Sequence, residues 1–489
     1  MNPDRRPLEG EALAERLLAA PVAGLARRAL GEDAAAWIVG GAVRNAALER
    51  EVSDLDLAVA GSAREAARAI AGEGGGHSFE LSAEFGTWRA VAADEAWQVD
   101  TTALRGGAIE SDLAARDFTI GAIAVPLAGG AAIDPHGGVD DLQAGLLRAV
   151  SEDSFAADPL RLLRAARLAA ELDLEVEPGT ASLATRHSGR AAEPAGERQL
   201  GELRLLLAGP APIRGLELMD ELGLTAAVLP EVEGLRGVIQ NPNHHLDVHG
   251  HTLAVLTRLL EVERDLERFA GARAAEVSEM LAEPLADEMT RGAALRLGAL
   301  LHDVGKPATR GETGGYVTFV GHDREGARMI GEICARLRAS RRLTAHLQGL
   351  ARHHLRLGFL VHERPLGRRR VHEYLRTTGP VAADVTLLTA ADRLAARGTG
   401  PIASDEMIEA HLELVREMLA AALDWRREGP PTPLLRGNEL AAELGIEEGP
   451  RLGELLAELE AAQYAGEVRT RGEAVAHARR ALDRGEAGR

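Results

Sequence analysis

Apolar and polar positions follow two different patterns along the chain. Between about residues 36 and 150, short apolar runs alternate with glycine-rich turns, which predicts strands. From residue 151 onward, strand patterns nearly vanish and apolar residues recur at helical spacing. The same spacing over residues 11–30 predicts one amphipathic helix there. The patterns therefore predict the fold class α+β, with a small head of mixed β-sheet and helices followed by all-α domains.

Proline- and glycine-rich segments at residues 209–215 and 428–437 interrupt the helical pattern. A histidine-rich helical block lies between them, from about residue 243 to 400. The 489-residue length is enough for several domains. We therefore predict a head, a helical neck, a histidine-rich helical domain and a helical tail, over residues 1–150, 151–240, 241–427 and 428–489.

Charge and composition narrow the function classes. The net charge of −19 argues against a general nucleic-acid coat protein, but it allows a local basic strip that grips RNA. One helical stretch carries such arginines, at positions 161, 164, 167, 186, 190, 198 and 204. No apolar run reaches 18 residues and the N-terminus lacks a signal-peptide core, so neither a membrane span nor secretion is expected. The single cysteine, Cys334, fits a reducing cytoplasm.

Two aspartates two positions apart are the first candidate for chemistry. Asp54 and Asp56 would share one side of a predicted strand and could bind two magnesium ions, with Asp100 of another predicted strand as a third carboxylate. Alone, such a pair would more often be a solvated strand edge. The preceding Gly40 and Gly41 let the backbone approach a phosphate, and Arg44 lies one helical turn further on, within reach of a triphosphate. The combination predicts a nucleoside triphosphate site.

Four ordered segments carry a family resemblance: WIVGGAVRNAAL at 37–48, SDLDLAV at 53–59, RDFTIGAIAV at 116–125 and DPLRLLRAARLAA at 158–170. The set resembles the class II tRNA nucleotidyltransferases and bacterial poly(A) polymerases of the DNA polymerase beta superfamily. The resemblance implies a nucleotidyltransferase head, magnesium dependence, and template-independent addition of C and/or A from CTP and ATP to the 3′ end of tRNA. Poly(A) synthesis is the runner-up activity.

The resemblance also implies roles for individual residues. Asp54 and Asp56 would hold the catalytic metals, and Arg198 would belong to an RNA-binding motif. Asp158 and Arg161, at positions i and i+3 of one predicted helix, would read the base: the carboxylate accepts from the exocyclic amine that C and A share, and the guanidinium donates to a ring acceptor. Further nucleotide contacts are expected from Arg116, Asp117, Arg164 and Arg167.

Several positions depart from the family pattern. Asn45, Gly121 and Ala157 stand where the family usually has Asp, Asn and Glu. Only the 15 residues TTALRGGAIESDLAA separate Asp100 from Arg116. CCA-adding members usually carry a longer flexible loop there, so the short connection resembles that of CC-adding members or of others that lack the loop. A separate A-adding enzyme would then complete the tRNA end.

The histidine-rich block contains a second candidate site. His251, His302, Asp303 and Asp392 form a ligand set that resembles the HD phosphohydrolase superfamily, which implies a divalent transition metal. A second metal or a phosphate is expected at His322, His353 and His354, and at Lys306, the only lysine of the chain. The alternative is a structural helical domain with incidental histidines.

The C-terminal segment has a pattern of its own. Residues 434–468 resemble the helical tail of the same family, with a leucine stripe for core packing and Arg436 as a predicted tRNA contact. A metal-dependent HD phosphohydrolase with a degenerate head is the main rival. A non-catalytic RNA-binding protein is a third possibility, which the intact Asp-x-Asp pair and glycine turn disfavour.

Overall fold

The computed structural model describes residues 7–83, 86–94 and 96–487 of the chain. It divides into two compact units, Met1–Val228 and Leu229–Arg489. The boundary falls inside the predicted neck. The finer division into head, neck, histidine-rich domain and tail stays a prediction.

The described strands of the first unit are β1 (Ala36–Val39), β2 (Asp54–Val59), β3 (His77–Ser82), β4 (Thr87–Val91), β5 (Gln98–Ala103), β6 (Ala124–Pro126), β7 (Leu146–Leu147) and β8 (Glu175–Val176). The first six form one sheet in the order β3-β4-β5-β2-β1-β6. Neighbours in it are antiparallel, except that β2 and β5 are parallel. The predicted mixed sheet is therefore confirmed.

The described helices of the first unit are α1 (Gly10–Leu18), α2 (Pro21–Leu30), α3 (Gly41–Ala47), α4 (Ala63–Glu73), α5 (Ile109–Ala114), α6 (Gly138–Ala144), α7 (Ser154–Ala157), α8 (Arg161–Leu172), α9 (Pro178–His187), α10 (Gly196–Ala208), α11 (Pro212–Glu221) and α12 (Thr225–Val228). Short 3-10 turns cover Arg105–Gly107, Thr119–Gly121 and Ser188–Ala192. The prediction of a single helix over residues 11–30 was wrong, because this segment forms the two helices α1 and α2. Ala20 is extended because Pro21 follows it, so α2 starts anew there.

Alternation along β2 separates the core from the site. Leu55 and Leu57 are buried, whereas Asp54 and Asp56, which alternate with them along the strand, are exposed. On the core side, Ile70 of α4 is fully buried, and α4 packs against β4 and β5. The aspartates are thus held at one end of a rigid, buried strand.

The described helices of the second unit are α13 (Pro230–Glu233), α14 (Val248–Arg264), α15 (Leu266–Ala270), α16 (Ala274–Ala282), α17 (Arg291–Leu301), α18 (Lys306–Thr309), α19 (His322–Arg336), α20 (Arg341–His353), α21 (Arg356–Leu360), α22 (Arg368–Thr378), α23 (Ala382–Ala395), α24 (Asp405–Glu428), α25 (Gly437–Leu444), α26 (Pro450–Ala465) and α27 (Arg471–Ala487). Two small hairpins pair β9 (Pro284–Ala286) with β10 (Met289–Thr290) and β11 (Gly311–Thr313) with β12 (Tyr316–Thr318). Short 3-10 turns cover Gly271–Arg273, Val361–Glu363, Gly379–Val381 and Pro401–Ala403.

The central helix of this unit is α23, which packs against α14 on one side and α24 on another. It is apolar nearly all round, as expected of a helix enclosed by others. The last three helices share their own small core, in which Leu452, Leu455 and Leu459 are buried and Leu456 packs against them. The predicted leucine stripe is therefore confirmed as core packing. Among the described residues, no helix is both long and apolar enough to cross a membrane.

Candidate active site and metal centre

A tight turn joins β1 to α3 and places a glycine against the β2 carboxylates. Gly40 has φ +71° and ψ −135°, a conformation that residues with a side chain rarely adopt. A Cβ atom there would lie 2.7 Å from Oδ2 of Asp56, so the turn also needs glycine for space. The backbone N–H of Gly41 donates to the Asp56 carboxylate. The turn thus points backbone N–H groups towards negative charge.

The three predicted carboxylates come together on one face of the sheet. Asp100 of β5 is the register partner of Asp56 on β2, so both side chains point to the same side, and Asp54 lies two residues before Asp56. The Asp56 side chain reaches solvent, yet protein atoms surround much of its carboxyl group. This partial desolvation and repulsion by Asp100 raise the pKa of Asp56. Oxygen ligands crowded in this way fit a hard divalent cation such as Mg²⁺.

A cation that the sequence analysis does not single out completes this face. Arg89 of β4 is the register partner of Asp100. Its Nε donates to Oδ1 of Asp100 at 2.7 Å, and its Nη2 donates to Oδ2 at 2.8 Å. Interaction with Asp100 raises the pKa of Arg89, and the charges of Asp54 and Asp56 add to this effect.

Arg116 lies beside the glycine turn, since its Nη1 would be 3.5 Å from a Cβ at Gly40. Its Nε and Nη2 donate to Oδ2 of Asp112 at 3.1 and 2.9 Å. Asp117 instead accepts from Nε of Arg164 at 2.8 Å. Burial opposes ionisation of Asp117, but Arg164 outweighs it and lowers the pKa of this carboxyl group. Of the two predicted nucleotide contacts Arg116 and Asp117, Arg116 is therefore the one that lies next to the face with Asp54, Asp56 and Asp100.

The predicted base-reading pair does not lie on one helix. Asp158 follows α7 in an extended conformation, and Arg161 is the first residue of α8. The prediction of a shared helix was wrong because the backbone leaves the helical conformation at Asp158, three residues before the start of α8. Instead, Oδ2 of Asp158 accepts from Nη2 of Arg198 at 2.8 Å. Arg198, predicted as an RNA contact, thus orients the carboxylate.

Backbone carbonyl oxygens hold the Arg161 guanidinium. Nη2 donates to one carbonyl at 2.7 Å, and Nη1 donates to two others at 3.1 and 3.3 Å. The acceptors are Ala115, Arg116 and Ser154. These bonds use three of the five N–H groups of an arginine, which leaves two for another ligand.

The other α8 arginines are paired with carboxylates. Arg164 Nη1 donates to Glu202 Oε1 at 3.3 Å, and Arg167 Nε donates to Glu202 Oε2 at 2.7 Å. Arg167 Nη1 also donates to Glu171 at 2.7 Å. Burial lowers the pKa of the nearby Arg44, which Glu171 partly offsets. The predicted basic strip is thus largely neutralised along α8.

The short connection between β5 and Arg116 is an ordered structure. It contains a 3-10 turn, Arg105–Gly107, and the helix α5. Asp112 of α5 is buried and accepts from the backbone N–H of Arg105 at 3.3 Å as well as from Arg116. The carboxylate therefore ties the connection to the face that carries the candidate site.

The three departures from the family pattern lie around this site. Asn45 is on α3, and Ala157 is the last residue of α7. Gly121 ends a 3-10 turn, and a Cβ there would be in ordinary contact with Asp117, at 3.4 Å. Two of them replace a carboxylate of the family pattern, but the predicted metal carboxylates Asp54, Asp56 and Asp100 are all present.

In the second unit, the predicted metal ligands converge from three helices. His251 lies on α14, His302 and Asp303 follow α17, and Asp392 lies on α23. Nε2 of His251 is 3.0 Å from Oδ1 of Asp392 and 3.8 Å from Oδ2 of Asp303. Burial opposes ionisation of Asp303, but the neighbouring His302 and Lys306 outweigh it and hold its pKa well below the ordinary value.

Three histidines of this cluster have a fixed tautomer. Nδ1 of His302 lies 2.8 Å from the carbonyl oxygen of Ala299. Nδ1 of His322 lies 2.7 Å from that of Phe319, and Nδ1 of His354 lies 2.7 Å from that of Ala351. A carbonyl only accepts, so Nδ1 carries a proton in each ring, and in the neutral ring the lone pair is then on Nε2. Nε2 of His302 lies 3.1 Å from Oδ2 of Asp303 and is buried without a hydrogen-bond partner. With the ring neutral, these are two acceptors in contact, and a cation bound between them would satisfy both; with the ring protonated, they form an ion pair.

A second group of ligands shares the same aspartate. His322 Nε2 and His354 Nε2 lie 3.4 and 3.7 Å from Oδ1 of Asp303 and 3.2 Å from each other. His353, predicted at this position, is not brought to the cluster; its Nδ1 accepts from Nε of Arg356 at 3.0 Å. His353 ends α20, and its neighbour is rotated by one helical step into the site. Asp303 thus faces two candidate metal positions.

Lys306 is part of this cluster. Its Nζ lies 2.6 Å from Oδ2 of Asp303 and donates to Oε1 of Gln240 at 2.7 Å. The cluster opens into a cavity of about 380 Å³, with Phe319 and Phe359 also in its wall. The cavity could admit a small phosphorylated molecule next to the metal ligands.

Arg436, in the predicted tail, is the N-cap residue of α25 and has an exposed side chain. Together with Arg376 it borders an apolar cleft of about 430 Å³. An RNA contact at Arg436 stays a prediction.

Comparison with known proteins decides the family. Residues 36–148, 173–235 and 248–397 match the "Poly A polymerase head domain", the "Probable RNA and SrmB- binding site of polymerase A" and the "HD domain" families. The A-adding tRNA nucleotidyltransferase of Deinococcus radiodurans is 36% identical over 452 residues, which cover 91% of this chain and 95% of that relative. The CC-adding tRNA nucleotidyltransferase of Thermus thermophilus is 34% identical, over 90% of this chain and 92% of its own length. The chain belongs to the tRNA nucleotidyltransferase family.

Solved structures agree with this fold. A CCA-adding enzyme of Thermotoga maritima complexed with tRNA superposes with a TM-score of 0.61 at 20% identity, covering 97% of this chain and all of that one. A CCA-adding enzyme complexed with ATP gives a TM-score of 0.65, also at 20% identity, over 97% of this chain and 100% of that one. The recognised family and the fold of a nucleotidyltransferase head followed by helical regions with an HD domain are therefore confirmed.

Family membership leaves the roles of individual residues as predictions. Arg89, Asp112 and Glu202 contact predicted site residues, although the sequence patterns did not indicate them. Only the pairing of strands or the packing of helices brings them there. For Asp112, the buried face of a short acidic helix just before Arg116 was a usable signal.

Proposed function

We propose that this chain adds C and/or A, from CTP and ATP, to the 3′ end of tRNA without a template. The observation that carries the proposal is the meeting of Asp54, Asp56 and Asp100 on one face of the sheet beside the Gly40 turn. Magnesium at these carboxylates would activate the 3′-hydroxyl and neutralise the triphosphate. Acting on tRNA, the enzyme would work in the cytoplasm.

The chain's own residues supply positioning and charge. The 3′-oxygen attacks the α-phosphorus in line, the bond to the β-phosphate oxygen breaks, pyrophosphate leaves, and the hydroxyl proton passes to solvent. The Gly40–Gly41 turn and Arg116 lie where a triphosphate beside Asp56 can be contacted. Asp158, oriented by its ion pair, would accept from the amine of C or A.

The ordered connection before Arg116 supports C addition over A addition. It is short and tied down by Asp112, whereas the resemblance associates A addition after C with a longer flexible loop. The two relatives described above bear A-adding and CC-adding names, so sequence similarity alone does not decide between these activities.

One assay tests the proposal. Purified protein with Mg²⁺ is offered tRNA ending at the discriminator base, at C or at CC, with CTP and ATP separately and together. We expect two C residues and no A from this chain. Completion of CCA would overturn the assignment to CC addition, growth into a long A tail would indicate a poly(A) polymerase, and transfer that survives in Asp54→Asn would place the reaction elsewhere.

The histidine cluster supports a second function, metal-dependent phosphoester hydrolysis. Two groups of ligands share Asp303, and they border a cavity with a buried ammonium group, that of Lys306. A divalent transition metal is the expected cofactor, because imidazole suits such ions. The test is metal analysis after reconstitution, with hydrolysis of a 2′,3′-cyclic nucleotide and His302→Ala as the control. Absence of bound metal would exclude the hydrolase.

A further inference from the structure

A row of charged side chains crosses three neighbouring strands of the sheet. Asp56 on β2, Asp100 on β5 and Arg89 on β4 are successive register partners, so their side chains point to the same face. The next residue towards the N-terminus, Trp88, points to the opposite face, where its ring stacks under the guanidinium of Arg64. Among the β4 residues, Arg89 is thus aimed at the carboxylates by the alternation of the strand.

The contact between Arg89 and Asp100 is a bidentate ion pair, the strongest arrangement of an arginine with a carboxylate. Two parallel N–H groups meet the two carboxylate oxygens at 2.7 and 2.8 Å, and both side chains are largely shielded from water, with 26% and 16% exposed. A fork of this kind fixes the rotamer of the carboxylate, which a point charge does not. Each oxygen of Asp100 keeps a further lone pair that can face a cation.

The same contact changes the charge of the site. Three carboxylates would carry three negative charges, and the guanidinium cancels one of them. Arg89 also lies close enough to Asp54 and Asp56 that they help to raise its pKa. The site that meets a metal–nucleotide complex is therefore less negative than its carboxylates alone suggest.

Resting on the proposed function, we propose that Arg89 is a positioning residue for nucleotidyl transfer. It holds Asp100 in the orientation in which it assists Asp54 and Asp56, and it weakens binding of free divalent cations when no nucleotide is present. Its two effects are opposite in sign, because orientation favours turnover and positive charge disfavours metal binding.

The experiment compares Arg89→Gln, Arg89→Lys and wild type in the full-length protein. Turnover is measured as single-nucleotide extension of tRNA with saturating CTP. Binding of Mn²⁺ without nucleotide is measured by titration calorimetry, and the part lost in Asp54→Asn is assigned to this site. Arg64→Gln, which removes the same charge from the other face of β4, is the matched control.

We expect Arg89→Gln to lower kcat about tenfold and to tighten the Asp54-dependent Mn²⁺ binding about five- to tenfold, the effect of one charge a few ångströms away. Arg89→Lys should restore the weak metal binding but not kcat, because an ammonium group cannot hold both oxygens. Combined with Asp100→Asn, Arg89→Gln should cause no additional loss.

Unchanged kcat in Arg89→Gln, weaker metal binding in that variant, or full rescue of kcat by Arg89→Lys would each overturn the proposal. The same loss in Arg64→Gln would also overturn it, since the effect would then be one of net charge. If Asp54→Asn retains transfer, the proposed function itself fails and the inference with it.

Discussion

Replacing Gly40 by alanine should damage stability and catalysis together. The backbone there has φ +71° and ψ −135°, and holding a residue with a side chain in such a region costs on the order of 1–3 kcal/mol. The new Cβ would stand 2.7 Å from Oδ2 of Asp56, roughly 0.5 Å or more inside ordinary contact. The carboxylate must therefore move by about that distance. Displacements of this order at a catalytic group lower turnover by roughly ten- to a hundredfold.

The assay for Gly40→Ala combines urea unfolding, followed by circular dichroism, with single-nucleotide extension of tRNA. Gly61→Ala is the matched control, because that glycine also follows a strand of the sheet, β2, but lacks a left-handed conformation and has open space at its Cβ position. We expect the control to behave as wild type. A Gly40→Ala protein with wild-type stability and kcat would refute the argument that space at this turn is what positions Asp56.

Three further outcomes are expected. His354→Ala should lower the bound divalent metal by about one ion per chain in mass-spectrometric metal analysis, whereas His353→Ala should retain it; equal losses would contradict the assignment of ligands. Arg198→Gln frees the base-reading carboxylate, so UTP should be misincorporated about tenfold more often relative to CTP, while Arg190→Gln, whose ion pair is exposed, should leave fidelity unchanged. Burial lowers the pKa of His346 below its ordinary 6.5, so on acidification the unfolded chain takes up a proton before the folded protein does, and the free energy of unfolding should fall as the pH drops below about 6.5. Urea unfolding at several pH values should show a smaller decrease of this free energy for His346→Gln than for wild type. The same decrease in both proteins would show that His346 is not its cause.

The sequence was sufficient for the elements whose pattern is local. The alternation around Asp54 and Asp56 predicts a strand with both carboxylates on one side, and β2 has this arrangement. The Gly40–Gly41 pair predicts a tight turn before a helix, which is also found. The leucine stripe of the tail follows helical spacing and forms a core.

Other features depend on contacts between distant segments. Nothing in the run that contains Arg89 tells which strand lies beside it, and only the pairing of β4 with β5 brings it to Asp100. The choice between His353 and His354 depends on the rotation of α20 about its axis, which two adjacent histidines leave open. The break at Asp158 reflects competition between the helical pattern and a turn in which the backbone N–H of Leu160 donates to the aspartate side chain.

The histidines of the second unit obtain their tautomer from their own segments. In His302, His322 and His354, the carbonyl that accepts from Nδ1 belongs to the residue three positions earlier. At the ends of α17 and α20 these are carbonyls that the helix leaves without a partner. Each Nδ1 is therefore held by a contact within its own segment, which leaves Nε2 to face Asp303. The ligand atom of each ring is thus chosen by a contact within its own segment, whereas its distance from Asp303 is set by the packing between segments.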